Sequence, residues 1–72
     1  MNQRIKDMLD SEELEMVRLG VHLMKQEITD KKEWARILEM FKYKQSDGPE
    51  DFYQLKYDWE IKDDEIIISK PD

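Results

Sequence analysis

The chain has no cysteine, one histidine, two glycines and two prolines, and it never places more than three apolar residues in succession. Each scarcity removes a class of function. Without cysteine there are no disulfide staples, no thiol nucleophile and no Cys-based zinc site, and nothing implies an oxidising compartment, so a cytoplasmic location is expected. With His22 alone, a pair of imidazoles at helical spacing is impossible, and His22 itself reads as an exposed helix residue rather than a ligand or base. Gly20 and Gly48 stand far apart, so no glycine-rich phosphate loop exists. No stretch approaches the roughly 20 apolar residues that cross a bilayer, and the opening MNQRIKDMLDSEE lacks the apolar run of a signal peptide. No membrane partner, cofactor, metal or enzymatic activity is expected.

What the chain does have is charge. Of its 72 residues 42% are charged, with a net charge of -6. The balance is uneven. Residues 1–46 carry nine bases and nine acids, whereas residues 47–72 carry nine acids against Lys56, Lys62 and Lys70, so the whole excess lies in the last third. Such an asymmetry concerns solubility and partner choice, not fold.

Length sets a second bound. A single domain of this size hides only about 60% of the surface its unfolded chain exposes, so help from a second subunit is plausible. The periodicity predicts an α+β domain with two main helices packed on a C-terminal antiparallel hairpin. Leu14, Val17, Val21, Met24 and Ile28 fall at alternating steps of three and four, marking a helix over about 11–28 with Asp10 or Ser11 as its cap. Upstream, Ile5, Met8 and Leu9 share helical spacing and form either a short leading helix or an extension of the main one. Asp30 and Glu33 have the capping-box spacing ahead of Trp34, Ile37, Leu38 and Phe41, which predicts a second helix over about 30–44. Residues 45–51, with Gly48 and Pro49 adjacent, form a breaker loop.

Beyond it, Tyr53, Leu55, Tyr57, Trp59 and Ile61 alternate with Gln54, Lys56, Asp58, Glu60 and Lys62, the pattern of a half-buried strand. A bend at Asp63-Asp64 pairs Lys62 with Glu65, Ile61 with Ile66 and Trp59 with Ile68, so the hairpin is expected over about 53–62 and 65–70, its aromatic face on the helices.

Two surfaces then remain. The main helix has a second apolar row, Met16, Leu19 and Leu23 with Gly20 beside it, and the combined apolar arc spans roughly 220°, more than one small sheet covers. That row is expected to meet another helix, the leading segment or a second copy in a homodimer. The outer hairpin face and its approaches gather Glu50, Asp51, Asp58, Glu60, Asp63, Asp64 and Glu65, with Ile67 as an apolar residue among polar neighbours. No calcium-loop spacing accompanies these carboxylates. A solubilising coat is the plain explanation; the sharper expectation is a non-enzymatic interaction module that regulates or inhibits a basic protein, nucleic-acid-handling proteins among the candidates.

The order helix, helix, hairpin resembles part of a winged-helix domain, a likeness of element order without a motif. It implies an alternative in which Lys31, Lys32, Arg36, Lys42 and Lys44 on or near the second helix face DNA. The acidic tip would be repelled by the phosphates there, so direct nucleic-acid binding is not expected.

Overall fold

The computed structural model describes residues 1–45 and 53–71. Three helices lead. Helix α1 (Gln3–Leu9) is capped by Asn2, whose side chain accepts from the Arg4 amide at 2.8 Å, and it buries Ile5, Met8 and Leu9. Helix α2 (Leu14–Glu27) buries Val17, Gly20, Val21 and Met24, and helix α3 (Lys31–Phe41) buries Trp34, Ile37 and Leu38. Asp30 caps α3 as its spacing implies, accepting from the Lys32 amide at 3.0 Å.

Four short strands follow. Strand β1 (Tyr43–Gln45) pairs antiparallel with β2 (Tyr53–Leu55), and β3 (Asp58–Lys62) pairs antiparallel with β4 (Glu65–Ser69). The β3–β4 register joins Trp59 to Ile68, Ile61 to Ile66 and Lys62 to Glu65, the alignment that keeps apolar residues on one face. Asp63 and Asp64 close the hairpin with φ of 48° and 67°. A two-residue turn with both central φ positive matches the right-handed twist of its strands, and aspartate tolerates that region better than most residues.

Helices and hairpin share one core. Ile5 and Leu9 of α1, Val17, Val21 and Met24 of α2, Trp34, Ile37 and Leu38 of α3, Tyr57 and Ile68 form its buried cluster, with Phe41, Trp59, Ile61 and Ile66 half-buried against it. Its polar atoms are provided for: the Trp34 indole donates to the Ile28 carbonyl at 2.6 Å, and the Tyr57 hydroxyl donates to the Leu38 carbonyl at 3.2 Å.

Three expectations need correction. Asp10 does not start the main helix; it ends α1, and α2 begins three residues later than expected, with Ser11 Oγ accepting from the Glu13 amide at 3.1 Å. The leading segment takes the first of its two expected forms, a short helix of its own. The second long helix stops at Phe41 rather than near Lys44, because Tyr43–Gln45 leave it to pair as β1. The aromatic ribbon is not one strand from 53 to 62, since the chain leaves extended pairing at Lys56 and Tyr57 and the ribbon divides into β2 and β3.

That division has a physical cause. Tyr57 is the largest fully buried side chain, and its hydroxyl finds a carbonyl inside the molecule. Burying the ring and satisfying its hydroxyl outweighs continuing a strand with partly wet neighbours. Tyr53, expected over the helices, is instead 65% exposed. Lys56, expected on the wet face, has a side chain only 5% exposed, and its ammonium donates to the Asp10 carbonyl at 3.2 Å and to Asp10 Oδ1 at 3.0 Å. This ties the end of α1 to the β2–β3 junction. Replacing Lys56 with alanine is expected to cost about 1.5–3 kcal/mol, the range for hydrogen bonds to charged groups, and urea titration measures it.

Candidate interaction surface

The pleat of β3–β4 sorts its side chains. Trp59, Ile61, Ile66 and Ile68 point to the helices, while Asp58, Glu60, Lys62, Glu65, Ile67 and Ser69 share the opposite face. Asp58 faces Ser69, Glu60 faces Ile67 and Lys62 faces Glu65 across the strands. Glu60, Glu65 and Ile67 are exposed and Asp58 is half-buried. Three carboxylates and the exposed Lys62 therefore surround one apolar side chain on a two-stranded platform, with the exposed Asp63 at its tip.

Asp64 behaves differently. Its carboxylate forms an ion pair with Lys31 at the start of α3, and the Lys31 hydrogen bond and charge hold it below the ordinary carboxylate value, with Lys25 adding a smaller pull. A lowered folded-state value means stabilisation present above the unfolded value of 3.8 and lost as the pH falls through the folded one. Replacing Lys31 with alanine should return Asp64 toward 3.8, which an NMR titration of its carboxyl carbon reads directly. The other two members expected of this surface, Glu50 and Asp51, lie outside the described residues.

The second apolar row of α2 does not stay together. A Cβ added at Gly20 would sit 2.8 Å from Met8 Cβ and 3.2 Å from the Leu9 amide nitrogen, so this glycine is where α1 crosses α2. Leu23 is half-buried against the core. Met16 and Leu19 remain exposed, at 37% and 45%. Much of the wide apolar arc is thus covered by α1 within one chain.

The basic residues near α3 are largely engaged. Lys31 pairs with Asp64, Lys44 with Glu12, and Arg36 approaches Glu33 at 3.9 Å. Lys42 lies over the Tyr43 ring, 5.5 Å from its centroid.

Sequence reasoning missed one feature. Met40, Tyr43 and Tyr53 are exposed and line a common shallow, apolar groove. The available signal was Met40, which falls off the Trp34–Ile37–Leu38–Phe41 stripe and so had no place in the core. Catalytic arrangements are not assembled among the described residues. His22 sits 3.2 Å from Gln26 Nε2 on the exposed side of α2, and among the described residues no three potential metal ligands gather at one point. The hollow beside the start of α2, lined by Glu12, Glu13, Leu14, Glu15, Arg18, Ser69 and Lys70, is open to solvent. Among the described residues no helix is long and apolar enough to cross a membrane. No family model, curated protein or solved structure matches the chain.

Proposed function

We propose that the chain is a small, acidic, non-enzymatic interaction module that captures a basic partner protein on the outer face of its β3–β4 hairpin and thereby restrains it. The observation that carries this reading is the placement of Asp58, Glu60 and Glu65 on a face whose side chains take no part in the core. Nothing in the packing requires acids there. Carboxylates two residues apart on a strand stand about 6.7 Å apart, so Asp58 and Glu60 present a short row of negative charge, which Lys62 ends. Such a row raises the encounter rate with a cationic surface and rejects anionic ones. A partner that handles nucleic acid fits, because the carboxylates occupy positions that phosphates would otherwise take.

Direct DNA binding through α3 is the weaker reading. Phosphate affinity comes mainly from available lysine and arginine, and Lys31, Arg36 and Lys44 already lie against carboxylates of this chain. Self-association completes the proposal, since a chain of 72 residues has little core stability to spare.

The test is a triple reversal, Asp58→Lys, Glu60→Lys and Glu65→Lys. Asp63 is left unchanged because its φ of 48° suits aspartate better than lysine. The reversed protein should keep its circular dichroism spectrum and lose the basic proteins that the parent retains from host lysate at low salt. Equal retention by both proteins would reduce the acidic face to a solubility coat.

A further inference from the structure

A two-stranded sheet has two edges, and those of the β3–β4 hairpin differ. Asp63 and Asp64 form a two-residue turn, so Lys62 and Glu65 are the first hydrogen-bonded pair, followed by Glu60 with Ile67 and Asp58 with Ser69. The residues between them point their N–H and C=O groups outward. On β4 these are Ile66 and Ile68, and the Ile68 carbonyl accepts from the Arg18 guanidinium of α2 at 3.2 Å. On β3 they are Trp59 and Ile61. Strand β3 pairs with β4 alone, and among the described residues no donor or acceptor meets the outward backbone groups of Trp59 and Ile61. Their side chains hold that edge in place, since both lie half-buried against the core and the Trp59 indole donates to Glu39 Oε2 of α3 at 3.2 Å.

The same strand carries a charge order. Asp58, Glu60 and Lys62 stand along its outer face, two acids and then a base, while Trp59 and Ile61 alternate with them on the inner face. A strand added at this edge would meet these residues one for one. Its complement is therefore two bases and then an acid on the outer face, with apolar residues between them.

We infer that the open edge of β3 takes up an extended segment of the basic partner as a third, antiparallel strand, with lysine or arginine opposite Asp58 and Glu60, an acid opposite Lys62, and apolar residues against Trp59 and Ile61. In such a contact the backbone bonds supply affinity and the alternate side chains supply specificity. Antiparallel pairing is the more stable orientation per residue. The inference rests on the proposed function in treating the partner as basic, and it names the form in which the partner arrives, an unpaired strand and not a folded basic surface.

The probe is a synthetic peptide bearing the run glutamate, valine, lysine, valine, lysine, which sets its valines opposite Ile61 and Trp59 with their N–H groups toward β3 and its lysine N–H groups pointing away. In the free full-length protein the Trp59 and Ile61 amides should exchange rapidly and the Glu60 amide, bonded to β4, slowly. The peptide should slow the first two. Methylating its valine nitrogens should weaken binding about tenfold or more, whereas methylating its lysine nitrogens should leave binding unchanged. Three results overturn the inference: Trp59 and Ile61 amides that the peptide does not slow, the same amides slowed by raising the protein concentration without peptide, which places a second copy on the edge, or a valine-methylated peptide that binds as tightly as the unmodified one. The last leaves the acidic-face reading standing. A peptide that binds the parent and the triple reversal equally removes that reading and the charge order with it.

Discussion

Replacing Tyr57 with alanine is expected to remove about 3–5 kcal/mol of stability, enough to leave much of the protein unfolded at room temperature. Tyr57 is fully buried between the helices and the hairpin, and it holds the Leu38 carbonyl through its hydroxyl. Alanine would leave a cavity where α3 meets the β2–β3 junction and withdraw that donor. Replacement with phenylalanine separates the two losses, since it keeps the ring and removes only the hydrogen bond, at a cost of about 1 kcal/mol. Urea titrations of the three proteins measure both differences; an alanine variant as stable as the parent would contradict the packing. The same residue sets the behaviour in alkali. Burial, reinforced by the nearby charges of Glu39 and Asp10, pushes the Tyr57 phenol well above its ordinary 10.0. A raised folded-state value means that its stabilisation is complete below 10.0 and is lost as the pH climbs from there toward the folded value. Tyr57→Phe should abolish that part of the alkaline loss.

A side chain at Gly20 should be the next most damaging change. Glycine costs a helix interior about 1 kcal/mol relative to alanine, so intrinsic propensity alone favours Gly20→Ala. The contacts reverse the sign. The nearest atoms to an added Cβ are Met8 Cβ at 2.8 Å and the Leu9 amide nitrogen at 3.2 Å, the root of a side chain and a piece of backbone, neither of which can swing aside. Helix α1 must therefore shift as a body, and overpacking of this kind costs about 1–3 kcal/mol. Gly20→Ala should lower the melting temperature, and Gly20→Leu should lower it further and release α1, seen as faster amide exchange over Gln3–Leu9. If Gly20→Ala raises the melting temperature, α1 does not sit where the structure has it.

The hairpin was the most legible part of the sequence, because Trp59, Ile61, Ile66 and Ile68 admit one register that keeps all four on one face and Asp63-Asp64 supplies the turn. The cap at Asp30 was legible for a similar reason, its partner lying two residues away. The failures are at residues whose partners are distant in the chain. Asp10 can close one helix or open the next on local grounds, and what engages it is Lys56, 46 residues on. Tyr57 continues the period-two pattern of the ribbon perfectly well, and its partner, the Leu38 carbonyl, lies 19 residues away. The acidic face followed from the same alternation as the hairpin. That Lys31 holds Asp64, and that Tyr53 joins Met40 and Tyr43, depends on how the elements lie against one another, which no periodicity encodes.

The central claim is that the carboxylates of β3–β4 act at a distance, by attracting a basic partner, and not through the fold. The association rate of the parent with the basic protein it retains, followed in stopped flow at rising ionic strength, tests it most directly. The Debye length is about 10 Å at 0.1 M salt and about 3 Å at 1 M, so attraction across the approach is progressively screened. The rate should fall steeply with salt and, for the triple reversal, start low and change little. A parent rate that is flat from low to high salt, or a reversed protein that associates just as fast, would contradict it.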